Sequence, residues 1–560
     1  MRTLVLAIVA FGLAACSHPP AGTVRFANSP AVWRVSDRVP LDRKPAEREY
    51  NRSLYQTDGF VVRRATRAMD MKDPVRARDV NALDEVPDST WFTNRIGVRD
   101  VSIAELRRGA NLDPSPFTNL PWTIKSAKVG GTALGFIFED SKGDKYLLKV
   151  DMKDVPEMET GAHVIGHRIV WALGYNVPED YLGYIDTKNI QVDAKATKKD
   201  PAGNKAPLSA ADVMAALELA YHREDGQLRV LASRYLPGIP IGPYAREGTR
   251  PDDPNDRIPH EQRRSVRGQA AIFSWLNHTD MQEDNTLDAF IRYPGPNGKP
   301  TDRGHVVHYL IDFGKAFGVM GYVNSWKTVG YTYRADVGMA LRSLVTFGLW
   351  QRPWDGIEVP TLKGLGLFEA DHFDAGAWRT NSPYWPYEDA DRFDGYWGAK
   401  LVMRFTREQI EAAVAEAQYS DPRTAKYMVD TLLARQRKVG AYWFRQVSPL
   451  DHFTPLRGDE SIAGGTRLCF DDLALVYGLE SPRGHRYRVE TFDRDGSALR
   501  ASTLPASANA CVVVPIAAAN DGYTIVKIAA LRNALALPPV LVHLARDASG
   551  AVRVIGVRRE

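Results

Sequence analysis

The stretch His278-Thr279-Asp280-Met281-Gln282-Glu283-Asp284-Asn285, followed downstream by Asp312-Phe313-Gly314, constrains this chain more than any other feature. It reads H-x-D-x-x-x-x-N and then D-F-G, and its surroundings prescribe a local architecture. Arg263 to Leu276 carries Ala270, Ile272, Phe273 and Trp275 at helical spacing, which predicts an amphipathic helix leading to His278. Thr286 to Tyr293 and Val306 to Ile311 read as two strands around Pro294-Gly295-Pro296-Asn297-Gly298, a hairpin that ends at Asp312. One loop then holds Asp280 and Asn285, beside a strand end that projects Asp312. Phosphoryl transfer needs these residue types in this order. An aspartate orients or deprotonates the acceptor hydroxyl, an asparagine five residues on holds a metal, and a second aspartate holds the metals that bridge the phosphates.

Upstream, Trp122 to Val129, Leu134 to Glu139 and Lys145 to Val150 read as three strands joined by Gly130-Gly131 and by Ser141-Lys142-Gly143-Asp144. A helix follows from Glu157 to Leu173, with Val164, Ile165, Ile169, Val170 and Leu173 on one face. Gly174 and Pro178 mark its end. Lys149 lies on the third strand between apolar neighbours, where a charge needs a partner. Glu159 on the next helix is the preferred partner, and Glu157 competes for the role. Gly130, Gly131 and Gly135 form the candidate phosphate loop, because glycine lets backbone amides approach phosphate oxygens. Residues 195 to 215 are polar and Lys-rich and read as a surface insertion. Leu228 to Tyr235 reads as another strand, broken by Leu236-Pro237-Gly238 as a hinge would break it.

This constellation resembles the protein-kinase-like superfamily at its atypical edge, nearest to the HipA-type and related bacterial and spore-coat kinases. The helix ending Leu173-Gly174-Tyr175-Asn176-Val177-Pro178 is similar to the helix and G-x-x-V/L-P turn of those groups. The resemblance covers residues 116 to 330, with looser support to 447. It implies an α+β bilobal kinase-like fold, with an N-lobe over 116–237 and a C-lobe over 238–447. It also implies ATP or another nucleotide in the cleft with Mg²⁺ or Mn²⁺, and catalytic roles for Asp280, Lys149 and Glu159. Lys149 and the glycines bind the nucleotide, while Asn285 and Asp312 bind metal. The sequence departs from the pattern in two places. Thr279 replaces the arginine of H-R-D, which argues against control through a phosphorylated activation loop. No A-P-E segment follows Asp312, which puts a peptide-substrate groove in doubt.

The N-terminus sets an unusual stage for such a site. Met1-Arg2-Thr3 is basic, Leu4 to Leu13 is apolar but too short to span a bilayer, and Leu13-Ala14-Ala15-Cys16 resembles the bacterial lipobox, in which the cysteine is lipidated. Residues 1–16 are then a lipoprotein signal peptide. The expected location is the cell envelope, at the outer membrane because Ser17 rather than aspartate follows the cysteine. ATP is scarce there. A pseudokinase-type scaffold and a nucleotidyl (AMP) transferase therefore stand as alternatives to transfer of phosphoryl to a protein, sugar or lipid hydroxyl.

In an exported chain Cys469 and Cys511 pair as a disulfide or remain two buried thiols, with pairing favoured. A net charge of +4 over 560 residues gives no electrostatic footprint for nucleic acid. Residues 17–115, rich in Arg, Asp and Pro, read as an extension wrapped on the main domain. Residues 448–560, with short alternating runs between turns, read as a β-domain of sandwich type. His163 and His167, four apart, lack the H-E-x-x-H glutamate and read as satisfied helix histidines. The tryptophans at 350, 354, 378, 385 and 397 read as core rather than as a sugar platform.

Overall fold

The structure, a computed structural model, describes residues 36–69, 75–112, 114–128, 134–200, 203–320, 328–352, 354–456, 465–533 and 535–560. Cys16, Gly130 and Gly131, expected to carry the lipid and to cradle phosphate, lie outside them. The chain is mixed α+β and divides into two compact units. One comprises 32–79 and 86–443, and the other is built mainly from 444–560 with Val80–Glu85.

The first unit is organised around a seven-stranded sheet. Its strands are β1 (Trp122–Ala127), β2 (Gly135–Glu139), β3 (Lys145–Val150), β4 (Asp180–Ile185), β5 (Ile190–Lys199), β6 (Lys205–Pro207) and β7 (Leu228–Arg234), in the spatial order β4-β7-β3-β2-β1-β5-β6. Because side chains alternate along a strand, Phe136, Phe138, Tyr146, Leu148, Val150, Val230 and Ala232 fall on one face and form a core with Trp122 and Ile124. Their neighbours Ile137, Leu147 and Lys149 fall on the other face and line a cleft.

The segment 195–215, expected as a surface insertion, is instead built into the sheet. β5 pairs in parallel with β1, setting Ile190 opposite Trp122, and the helix Ala210–Leu217 adds Val213 and Leu217 to the core. Its lysines sit on faces left open to solvent, so the polar composition concealed a half-buried pattern.

On the cleft side of the sheet stands α1 (Met158–Leu173), almost wholly buried. Its first turn is capped from outside: Asp151 accepts from the amides of Glu159 (2.8 Å) and Thr160 (2.9 Å). It ends at Gly174, φ +130°, where an added Cβ would lie 2.4 Å from the Phe92 ring. Phe92 and Trp91 are the aromatic pair that anchors the N-terminal extension, and both are buried.

Below the sheet, β8 (Ile239–Pro240), β9 (Thr286–Pro294) and β10 (Pro300–Leu310) form a three-stranded sheet in the order β10-β9-β8. The expected helix 263–276 appears as a short turn at Arg264–Arg267 and then α2 (Gln269–Leu276). It is buried all round rather than amphipathic, since its polar residues Gln269 and Ser274 are also covered. Between the two pieces Gly268 leaves room for the Trp397 ring, which an added Cβ would meet at 2.5 Å. Trp354, Trp378, Trp385 and Trp397 are buried. Further on lie α3 (Val337–Val345) and the long α4 (Pro422–Gln446).

The second unit contains two antiparallel sheets. In one, β11 (Leu450–Leu456) and β15 (Asn509–Pro515) flank β12 (Gly465–Asp472). The other runs β14 (Ala498–Pro505), β13 (His485–Phe492), β16 (Thr524–Arg532), β18 (Val540–Arg546) and β19 (Val552–Arg559), with the short β17 (Leu535–Ala536) beside β16. Leu468, Phe470 and Val514 from the first sheet share one core with Tyr487, Val526 and Val542 from the second. Cys469 and Cys511, directly opposite on β12 and β15, are joined by a disulfide.

Candidate active site

A cleft of about 770 Å³ opens between the second face of the large sheet and the β9–β10 hairpin. Lys149, Glu159, Asp280, Asn285 and Asp312 all line it. That volume lies within the usual range for a small-molecule site, roughly 300–1,000 Å³. The strand-side wall is apolar at Ile137 and Leu147 and continues to Tyr235 and Leu236, where β7 gives way to the turn at Gly238.

Lys149 is 3% exposed, and its Nζ lies 2.7 Å from Asp312 Oδ1. Burial alone would lower the ammonium, but the negative charges of Asp312 and Glu159 outweigh it and raise it. Asp312 itself sits at φ +61°, in the left-handed region, two residues after the end of β10. Against the penalty of burial, Lys149 holds its carboxyl well below the usual carboxylate range. Phe313 anchors the turn in the core, with its ring 5.7 Å from that of His163. Gly314 has a steric reason to be glycine, since a Cβ there would lie 2.8 Å from Glu159 Cγ.

The close ion pair of Lys149 is therefore with Asp312. Glu159 acts on Lys149 through its field, while its own near contact is Lys315 Nζ at 3.5 Å. Burial raises the Glu159 carboxyl, and Lys315 pulls it back. Glu157, the competing candidate, is turned elsewhere. It precedes α1 at φ +65° and binds Lys363 Nζ (3.0 Å) and the amide of Ser420 (2.9 Å).

α2 ends at Asn277, φ +44°, whose left-handed turn sends the chain into the His278–Asn285 loop. Asn285 donates from Nδ2 to the backbone carbonyl of Asp280 and, at 3.4 Å, to its Oδ2. Burial raises the Asp280 carboxyl; Arg334 pulls it down and Asp312 pushes it up again. His278 is not among the residues that line the cleft. It is buried, its burial pushes it down to about 4, and its ring packs against Phe273 at 4.8 Å.

Sequence reasoning missed several groups in the cleft. Arg52 arrives from the N-terminal extension, Lys128 from the end of β1, and Lys315 and Arg334 from beyond D-F-G. Asp284 also lines it, with its Oδ1 buried and unpartnered. Its place next to Asn285 was the available signal, and the same loop that presents one presents the other. His163, expected to be a satisfied helix histidine, lines the cleft instead with one ring nitrogen unsatisfied. One helical turn after Glu159, its Nε2 lies 2.8 Å from the buried Asp180, and its Nδ1, 3.9 Å from Asp312, has no hydrogen-bond partner. His167 is satisfied as expected, by the Pro178 carbonyl (2.6 Å) and Arg168 (2.7 Å).

Gly135 leaves the strand no room for a side chain, since a Cβ would lie 2.6 Å from the Leu148 carbonyl oxygen. It pairs with Lys149 in the ladder.

Oxygen donors for a metal include Asp312, the Oδ1 of Asn285 and Asp284, all lining the cleft. This set suits a hard divalent cation such as Mg²⁺ or Mn²⁺. Among the described residues no group of three or more His, Cys, Asp or Glu side chains forms a metal cage.

No family model matches the chain, and no curated protein matches it. Among solved structures it is similar to the crystal structure of the Golgi casein kinase with Mn/ADP bound, at 13% identity and a TM-score of 0.28, over 77% of this chain and 92% of that one. A likeness of that size identifies neither family nor function.

Proposed function

We propose that the chain is an ATP-dependent phosphotransferase of the atypical kinase-like type, with the bilobal cleft that this implies. The acceptor is a hydroxyl on a protein, sugar or lipid. The observation that carries the reading is the convergence of Lys149, Glu159, Asp280, Asn285 and Asp312 on one cleft. In this reading the apolar wall at Ile137 and Leu147 receives a nucleotide base, and Lys149 exchanges its contact with Asp312 for phosphate oxygens. Asn285 and Asp312 hold a divalent cation, with Asp284 as a further oxygen donor. When bound, the cation neutralises charge that builds on the phosphate oxygens. Asp280, held by Asn285, orients the acceptor hydroxyl and takes its proton as the new O–P bond forms and the bond to the leaving nucleoside diphosphate breaks. Lipid at Cys16 holds the protein at the bacterial envelope, on the outer membrane by the Ser17 reading.

Thermal shift with ATP and Mg²⁺ or Mn²⁺ tests nucleotide binding, and γ-labelled ATP tests transfer. Asp280→Ala is expected to lower transfer by about 10²–10⁴-fold, the typical contribution of a positioned base, with the nucleotide shift retained. No shift with any nucleotide–metal pair favours a scaffold. Incorporation from α-labelled but not γ-labelled ATP favours AMP transfer.

A further inference from the structure

α3 is built inside out. Val337, Leu341, Leu344 and Val345 recur at i, i+4, i+7 and i+8, the spacing that normally faces a core, yet the helix has no buried residue. Leu344 is 73% exposed, and beyond the helix Phe347 is 92% and Leu349 86% exposed. Phe347 adopts φ +50° and Gly348 φ +79°, so a bulky aromatic is held in a conformation unfavourable for it while touching little. The helix is not adrift. Asp336 caps it by accepting from the Met339 amide at 3.1 Å, and Met339 and Trp350 pack against the buried Trp354, Ile357 and Leu367. Single exposed apolar residues are ordinary, but a continuous stripe ending in an aromatic tip marks a contact surface.

The expected anchor and the make-up of the segment select a lipid surface as the occupant. The lipobox reading puts Cys16 in a bilayer, and the roughly 20 residues between it and the first described residue can span at most about 70 Å. The segment also has the make-up of an interfacial helix. Apolar Leu, Val and Phe point outward, and Arg342 lies beside them with its guanidinium 4.6 Å over the Trp350 ring. Among the described residues no helix is long and apolar enough to cross a membrane, so insertion would be parallel to the surface.

We propose that α3 and the turn through Leu349 dock into the interfacial layer of the bilayer that holds the lipid anchor. Arg334, which lines the cleft, is three residues before Val337, a reach of at most about 11 Å. Docking therefore brings the cleft to hydroxyls carried by membrane components, a consequence that rests on the phosphotransferase reading and on the anchor.

The test uses the full-length protein with vesicles of phosphatidylethanolamine and phosphatidylglycerol. Leu349→Cys is labelled with an environment-sensitive fluorophore, and Lys142→Cys, on the exposed β2–β3 turn, serves as the aqueous control. The expected result is a blue shift at 349 and about twofold quenching by spin-labelled lipid, with neither at 142. The double variant Leu344→Asp/Phe347→Asp should abolish both effects. If the protein floats with vesicles while the 349 label stays aqueous, the docking proposal is overturned and the anchor reading stands. Insertion by protein that lacks lipid supports docking and removes the anchor. Shielding at 349 that depends on protein concentration and not on lipid identifies a second copy of the chain as the occupant and overturns the proposal.

Discussion

At the scale of single residues, the cleft is a balance of close, opposed charges, and His163 shows how far that balance extends. Asp180 is fully buried; against that burial, His163 leads in holding its carboxyl down to about 2. His163→Leu removes the nearer partner and leaves a buried carboxylate short of compensation. The expected cost is about 3 kcal/mol, read from a shift in the urea midpoint. His163→Leu combined with Asp180→Leu should recover most of it, because removing both partners leaves no orphaned charge. Recovery without return of nucleotide binding would show that His163 also positions Asp312, whose Oδ1 lies 3.9 Å from its free ring nitrogen.

At the scale of elements, α1 is the hinge between sequence and site. Two side chains one helical turn apart, Glu159 and His163, reach the cleft only because the helix is pinned at both ends. Asp151 caps its start, and Gly174, with φ +130° against Phe92, closes its end. Gly174→Ala forces a Cβ into the Phe92 ring at a backbone angle that L-residues avoid. It is expected to cost roughly 1–3 kcal/mol, measured as a lowered urea midpoint, and to weaken nucleotide binding as Glu159 moves. The strands, helix and hairpin around the motifs were legible because each carries a clean period and a glycine or proline stop. Three things were not. The strand β5 hid under lysines whose opposite face is buried. Glu157 and Glu159 are two residues apart on one short stretch, and nothing local says that Lys363 captures the first and Lys315 approaches the second. Arg52, Lys315 and Arg334 enter the cleft from segments with no periodic signature, so only the tertiary fold brings them in.

At the scale of the whole molecule, acid is the natural stress. His167 is neutral by construction: one ring nitrogen donates to the Pro178 carbonyl and the other accepts from Arg168, and burial holds it down to about 3. Its ordinary value is 6.5. Between those values the unfolded chain binds a proton that the folded one refuses. Stability is therefore full above pH about 6.5 and falls by up to about 1.4 kcal/mol per pH unit as the medium is acidified towards 3. His278, held near 4, acts in the same direction down to that pH. Urea melts at pH 7 and pH 5 should separate clearly, and His167→Gln should narrow the gap; equal midpoints would exclude a neutral buried imidazole. The contact between Lys149 and Asp312 bears on how any such variant is read. The lysine is the resident counter-ion of Asp312, and it is the very group expected to meet phosphate. Removing Lys149 strips a carboxylate of its cation before it strips a nucleotide of its anchor, so an inert scaffold and an active enzyme would both suffer. Asp280 stands outside that pair, and its loss separates chemistry from charge balance.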